Sequence, residues 1–402
     1  MTRTSDARSN PELRKLLAAQ VPADFADWLD FVAIGALLAF SWGADPFVFA
    51  LLAVSMGLPY LFVGPFAGVL VDRMDAKDVM IWANIGRGIV TASFFFAPNW
   101  QLLMVLIATR SAVDTFFTPA KQAAIQALVA PEGRPRANGL SHAINQASKI
   151  VAPAIGGGLL IWVSPQGVFL LNAVVSFVAA GFVLRMAPIR TVAAQDGEVA
   201  PGMLASIREG LKEVVTKTTL RVSLWMMAAS YFAVFFYDTL VAPLTRDLGF
   251  TQTDLGLSLA AVGAGGVVGA VTLSLLREFK YPFRWIALGS LVSGVTVASL
   301  GGAEMAAQKV GIAVFVSAFA IVGFFSAMTV VPFRAIVQNS VSEKSIGRVT
   351  ALSEAANTMA LLTAPFIGAL VASVASIGAA FVCGGVIMVL VALRAAMLRN
   401  HS

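Results

Sequence analysis

Apolar runs close to 20 residues long recur from one end of this 402-residue chain to the other. A helix of about that length crosses a hydrocarbon core about 30 Å thick. Within such a core every backbone N–H and C=O must find a partner, which leaves helices or a closed barrel. The runs are continuous rather than alternating, so helices are expected. Composition points the same way, with 58% hydrophobic and 12% charged residues against about 25% charged in an ordinary soluble domain. This chain cannot clothe a soluble surface. Soluble enzymes, secreted disulfide scaffolds and nucleic-acid binders are excluded, despite a net charge of +6. Cys383 is the single cysteine, so no intrachain disulfide forms. The polar N-terminal stretch leads into a long apolar segment carrying Asp24, Asp27 and Asp30, which does not read as a cleavable signal peptide.

Apolar windows between polar breaks number twelve. The first six cover roughly 16–41, 46–71, 79–97, 101–119, 138–163 and 167–187, and the second six roughly 222–244, 253–276, 284–302, 310–332, 349–373 and 377–398. The expectation is an all-α polytopic membrane protein of twelve transmembrane helices in two six-helix halves. Its parts are a tail at 1–15, a bundle at 16–188, a linker at 189–221, a second bundle at 222–398 and a tail at 399–402. With both termini placed in the cytoplasm, 23 of the 28 Lys and Arg residues fall on the cytoplasmic side, Lys121 among them, as basic loops should. In the linker, Met203, Leu204, Ile207, Leu211, Val214 and Val215 share one helical face opposite Arg208, Glu209, Lys212 and Glu213. That pattern predicts an amphipathic helix along the membrane surface, tethering the halves.

The chain repeats itself. LSHAIN at 140–145 and APAIGG at 152–157 reappear as LSEAAN at 352–357 and APFIGA at 364–369, with Pro119 matching Pro332. The offset is 213 at the first proline and 212 from Leu140 onward. Span five is thus related to span eleven, the two halves run parallel, His142 corresponds to Glu354 and Asn145 to Asn357.

Several motifs resemble those of the major facilitator superfamily. Gly68-Val-Leu-Val-Asp72-Arg73-Met-Asp75-Ala76-Lys77 resembles its loop motif G-x-L-x-D-R-x-G-R-K, with Asp75 and Ala76 in place of Gly and Arg. The resemblance implies a latch in which Gly68 permits close helix approach, and Asp72 pairs with Arg73 and a neighbouring helix end beside Lys77. The corresponding region at Gly269–Lys280 keeps only the glycine and basic residues. Ser148-Lys149-Ile-Val-Ala152-Pro153-Ala-Ile-Gly156-Gly157 resembles the exporter motif G-x-x-x-G-P-x-x-G-G, which implies tight packing, a proline hinge and export rather than uptake. Arg110 matches the arginine of R-x-x-x-G in span four, with Asp114 at the glycine position. This loop motif and Val113–Phe117 look most like the enterobactin-exporter and drug:proton antiporter group. Phe25-Ala26-Asp27, Ala83-Asn84, Pro119-Ala120-Lys121 and Ala137-Asn138-Gly139-Leu140 instead resemble bacterial lysophospholipid transporters.

Charge inside a membrane is costly and is paired, placed in a cavity or functional. At a rise of about 1.5 Å per residue, Asp27, Arg87, Arg110 and Lys149 all lie near the midplane of their spans. Asp24, Asp27 and Asp30, spaced i, i+3, i+6, share one slowly turning face. Asp24 reads as structural, beside a Pro22 expected to bend or restart the helix. Asp27 and Asp30 read either as structural ion pairs or as binders of a coupling proton. Arg110 and Asp114, four apart, can pair with each other, or Arg110 can serve as counter-charge to Asp27. Arg87 and Lys149 can equally recognise an anionic substrate group. His142, Glu354, Asn145 and Asn357 lie toward the cytoplasmic side as packing or gate residues, and Asp238 beside Tyr237 lies at the outer rim. The 14 Met and 28 Phe are accounted for chiefly by lipid-facing surface.

There is no phosphate-binding glycine loop ahead of Lys and Ser or Thr, so ATP is not the expected energy source. His142 and His401 lie in opposite halves, and neither metal, cofactor nor catalysis is implied. The expected partners are a small-molecule substrate, protons and the bilayer, not nucleic acid. Oligomeric state is open, a monomer being the simplest case. The expectation is a bacterial inner-membrane exporter of a small amphipathic drug or siderophore-like compound, driven by proton exchange through alternating access. A lysophospholipid flippase of the same fold, independent of the proton gradient, is the alternative.

Overall fold

The computed structural model describes residues 10–71, 73–189, 218–275, 281–340 and 346–398. All twelve apolar windows are helical. The first six are α1 (Pro11–Leu29) with α2 (Phe31–Ala36), α3 (Pro46–Phe62) with α4 (Gly64–Val71), α5 (Ala76–Ser93), α6 (Trp100–Asp114) with α7 (Phe117–Leu128), α8 (Arg134–Leu159) and α9 (Pro165–Leu184). The second six are α10 (Thr218–Asp238) with α11 (Val241–Asp247), α12 (Gln252–Ser274), α13 (Pro282–Met305), α14 (Ile312–Ser340), α15 (Ile346–Val374) and α16 (Ile377–Leu398). The amphipathic helix expected at 203–215 lies outside the described residues.

Local chemistry sets the helix starts. Asn10 accepts from the Glu12 and Leu13 N–H groups at 3.0 and 3.2 Å, with Pro11 at the first helical position. The Asn10 amide also donates to the Leu128 carbonyl at 2.8 Å, which joins the start of α1 to the end of α7. Asn99 caps α6, Ser164 caps α9, and Thr251 with Asp254 forms a capping box on α12.

Four windows are broken. Span one breaks at Asp30 rather than at Pro22, through which α1 runs without interruption. Span two breaks at Val63, span four at Thr115–Phe116 and span seven at Thr239–Leu240. Among the described residues nine helical segments are long and apolar enough to cross a membrane. Span two falls short of that measure because α3 ends at Phe62, span one through the charges of α1 and Asp30, and α8 through its polar first half, RPRANGLSHAINQASK.

The chain forms two compact units, one of residues 1–42 and 54–197, the other of 43–53 and 198–402. In the first, α1 packs on α8 and α9, α5 on α9 and on α6–α7, and α4 on α7. In the second, α10 packs on α15 and α16, α13 on α16 and on α14, and α12 on α14. These are the same span-to-span contacts, shifted by six. The repeat is visible at atomic detail: a Cβ built on Gly156 would strike the Leu29 carbonyl oxygen, and one built on Gly368, its counterpart, the Phe236 carbonyl oxygen. The backbones of spans one and five, and of seven and eleven, approach so closely that only glycine fits.

Candidate functional site

The first unit places its charges on inward faces. Along α5, Ala83, Asn84, Arg87, Gly88 and Thr91 are buried at helical spacing, and along α6 Ile107, Arg110, Ser111 and Asp114 are. A Cβ on Gly88 would lie 2.8 Å from the Phe177 ring, so this glycine lets α9 close down on the charged stretch of α5.

Each aspartate of span one has its own cation. Asp30 takes Arg110 Nη1 at 2.7 Å, Asp27 takes Arg87 Nη1, and Asp24 lies 3.8 Å from Lys121 Nζ. The counter-charge of Asp27 is therefore Arg87 rather than Arg110, for which the sequence leaves both Asp27 and Asp114 open as partners. Arg110 hydrogen-bonds Asp27 only at its backbone carbonyl, at 3.3 Å. The reason is the break at Asp30, which turns that carboxylate toward α6 while Asp27, one turn earlier, faces α5.

Asp114 is the fourth carboxylate. It accepts from Arg87 Nη1 at 3.1 Å, and its pairing with Arg110 is looser, with Oδ2 3.9 Å from Nε. Arg87, whose side chain is only 1% exposed, thus lies between two carboxylates, Asp27 and Asp114. Its Nη2 donates to Asn84 Oδ1 at 2.6 Å. Phe117 faces both Arg87 and Lys121, with its centroid 5.9 and 5.6 Å away, and Phe94 faces Arg110 at 5.8 Å. Among the described residues, Asp30 Oδ1, Arg87 Nε and Arg110 Nε are buried with no hydrogen-bond partner, so the network has spare donors and acceptors with which to rearrange. Asp27 is the member nearest the surface, with a side chain 25% exposed against 5% for Asp114.

Neutral residues complete the cluster. Gln20 Nε2 donates to Asp24 Oδ2 at 2.6 Å and to the Ser141 carbonyl at 2.8 Å, bridging α1 to α8. Asn172 donates to the Ala26 carbonyl at 2.9 Å in the last turn before the break. The sequence reading missed Gln20 and Asn172 and assigned Lys121 to a cytoplasmic loop, although it is buried in α7. A signal existed: Asn172 and Ser176 are polar residues four apart within an otherwise apolar span, and Lys121 is seven residues, two turns, beyond Asp114.

Other expected site residues stand apart from this cluster. Lys149 is exposed on α8 with its Nζ 5.8 Å from the Trp28 ring centroid, and His142 is exposed on the same helix. Asn145 and Asn357 are half-buried at equivalent places on α8 and α15, while the Glu354 side chain lies outside the described residues. Ala152 and Gly157 are buried, and α8 continues through Pro153 without interruption. Asp238 ends α10 at the break of span seven.

The latch is only partly as expected. Asp72 lies outside the described residues, and Arg73 is exposed at a turn. A Cβ on Gly68 would meet no atom of the described residues within 4 Å. Lys77 instead donates to the Met186 carbonyl at 2.6 Å just beyond α9. Asp75, in the motif's glycine position, caps α5 and accepts from Ile189 N–H at 3.3 Å. Glu12 accepts from Ala187 N–H at 2.9 Å and from Lys15 at 2.7 Å. Burial alone would raise the Glu12 pKa, but these bonds and the nearby Lys15 and Lys77 charges outweigh it and hold the carboxyl below its usual 4.5.

The family model described as Major Facilitator Superfamily matches residues 16–352, and again 227–401. The chain belongs to the Major Facilitator Superfamily. It is 30% identical over 393 residues to YfiS, a transporter of this superfamily from Bacillus subtilis (strain 168), covering 96% of this chain and 93% of that one. It is 25% identical over 360 residues to macrolide efflux protein A of Streptococcus pyogenes, covering 85% of each. Among solved structures, a mutant of the nucleoside transporter NupG superposes with a TM-score of 0.71 at 12% identity, over 96% of this chain and 98% of that one. The superfamily and the helical spans together make this a multi-pass membrane protein of the major facilitator fold.

Proposed function

We propose that the protein is a proton-coupled exporter of a small amphipathic organic compound, with Asp27, Arg87 and Asp114 as the coupling centre. The observation that carries this reading is the charge balance of the cluster. Among the described residues four carboxylates, Asp24, Asp27, Asp30 and Asp114, face three cations, Arg87, Arg110 and Lys121. One negative charge is in excess, and two carboxylates share one guanidinium. Uptake of a single proton by the Asp27–Asp114 pair neutralises the excess, and the proton belongs to the pair rather than to either residue.

The half-buried Asp27, the most accessible carboxylate of the cluster, is the point of entry. Protonated, it loosens its hold on Arg87, which turns wholly to Asp114; Arg110 retains Asp30. Deprotonated, it recovers Arg87, and Asp114 relaxes toward Arg110 Nε. A compound that binds one of these arrangements better than the other shifts the balance between access states. Similarity to macrolide efflux protein A supports export and an amphipathic drug-like cargo. The excess of basic residues on one side supports an inner-membrane topology with both termini in the cytoplasm. The lipid-flipping alternative needs a midplane cation for a phosphate; Arg87 and Arg110 are both already engaged by carboxylates, which leaves Lys149 on α8 as the cation that reading would use.

The test is dye-reported proton flux in inverted vesicles as erythromycin and other cationic drugs, siderophores and lysophospholipids are added singly. Drug-driven proton release that is lost in Asp27→Asn and Asp114→Asn is the expected result. Lysophospholipid movement that persists without a proton gradient would replace this reading with the flippase.

A further inference from the structure

The second unit contains a cavity where the first has its ion pairs. It is lined by Met227, Ser230, Tyr231 and Val234 of α10 and by Thr329 and Val330 of α14, among others. The repeat fixes which residues these replace. The Leu29 and Phe236 carbonyls, met by equivalent glycines, set an offset of 207 between spans one and seven. Gln20, Asp24 and Asp27 then correspond to Met227, Tyr231 and Val234. The offset of 213 at Pro119 and Pro332 makes Val330 the counterpart of Phe117, and Ala327 that of Asp114. Every charged or amide side chain named in these pairs thus has an uncharged counterpart on or beside the cavity.

The cavity has a floor and a mouth. Met227, Ser230 and Thr329 are buried, whereas Tyr231, Val234 and Val330 are half-buried at the rim. Asp27, the counterpart of Val234, is likewise half-buried and is the most accessible carboxylate of its own cluster. The floor hydroxyls are already partnered, Ser230 donating to the Met226 carbonyl at 2.9 Å, and Thr329 lying 3.3 Å from the Ser290 hydroxyl of α13 and 3.4 Å from the Phe325 carbonyl. The lining is largely apolar, with Val234, Val330, Phe333 and the thioethers of Met227 and Met388; its side-chain polar atoms are hydroxyls, and none of its residues supplies a counter-ion for a charge. Free space is about 40 Å³, room for about three water-sized groups. A whole drug-sized molecule needs about 300 Å³ or more.

We propose that this cavity seats an uncharged, branched alkyl end of the exported compound. The duplication has thereby divided the labour, with proton exchange in the first repeat and apolar recognition at the equivalent place in the second. This rests on the export reading above, and the experiment keeps the two separable. Full-length protein carrying ¹³C-methyl methionine is reconstituted in nanodiscs and titrated with isobutylbenzene, with erythromycin and with isobutylammonium. The expected result is a saturable shift of the Met227 methyl, assigned with Met227→Leu, with isobutylammonium at least tenfold weaker. Met397, 64% exposed, reports simple partitioning. A Met227 response that follows Met397 without saturating, or equal affinity for the ammonium probe, overturns the proposal.

Val330→Trp fills the cavity, and Val234→Leu does so more mildly should the first fail to fold. Either is expected to weaken the Met227 response and raise the erythromycin concentration for half-maximal proton release, tenfold or more for Trp. Unchanged drug dependence with the Met227 shift abolished would overturn the transport role. Wild-type vesicles with no drug-driven release but a saturable Met227 shift would refute the export reading and leave the cavity standing.

Discussion

In the first unit Asn172 hydrogen-bonds the Ala26 carbonyl, while in the second its counterpart is Gly384, whose added Cβ would lie 3.2 Å from the corresponding Ala233 carbonyl oxygen. The same difference recurs at span four, where Arg110 corresponds to Gly323, packed against the Val262 carbonyl. Across the second unit such contacts are frequent. Gly265 closes on the Ala320 carbonyl, Gly301 on that of Gly378, and Gly294 and Gly385 on each other's. One repeat is held by ions and amides, the other by backbone proximity. Packing and interhelical hydrogen bonds, rather than water exclusion, drive helix association in lipid, and these are two ways of supplying them. On the proton-coupled reading proposed above, the ionic solution is the one that can change its pairing when a proton arrives, which is why that reading puts the switch in the first unit.

The strongest test of this contrast removes the shared cation. Arg87→Met leaves Asp27 and Asp114 buried without it and is expected to abolish transport and cost about 3–5 kcal/mol, read as a fall in melting temperature in detergent. Adding Asp114→Asn restores the wild-type excess of one negative charge and should recover much of the stability. A single variant as stable as wild type would mean that the cluster does not hold the unit together. Next come the glycines common to both units. Gly156→Ala and Gly368→Ala should each destabilise by about 1–3 kcal/mol, since backbone must move, whereas Gly68→Ala should be close to neutral. Thermal unfolding of the three variants side by side checks this, and a large loss at Gly68 would restore the close approach that the loop motif implied.

Smaller effects sharpen the picture. Asn172→Ala loses one buried hydrogen bond and should cost about 1 kcal/mol, while a glycine-to-alanine change at 384 should be better tolerated than at 368. The smallest is at Glu12, which precedes the first apolar window. Its folded pKa lies below 4.5, so its contribution is present above that pH and is lost as pH falls through the folded value. Glu12→Gln should flatten this acid-side loss in a pH series of melting temperatures. An unchanged slope would separate Glu12 from the contacts that hold residues 185–189.

Much of this was legible in the chain. Continuous apolar runs determined the helices, because a bilayer leaves no other way to satisfy the backbone, and the LSHAIN and LSEAAN segments announced the duplication. The unusual cost of charge in lipid singled out Asp27, Asp30, Arg87, Arg110 and Asp114 before any coordinates. Which charge meets which was decided only in three dimensions. A one-turn difference in depth and a helix break at Asp30 send Arg87 to Asp27 and Arg110 to Asp30, and periodicity does not register such a break. Lys121 was misplaced because a buried lysine and a loop lysine look alike until its partner, Asp24, is found 97 residues away across the bundle. The cavity was equally hidden: it exists where tertiary packing leaves the second repeat's apolar side chains short of the space that the first repeat fills with ions.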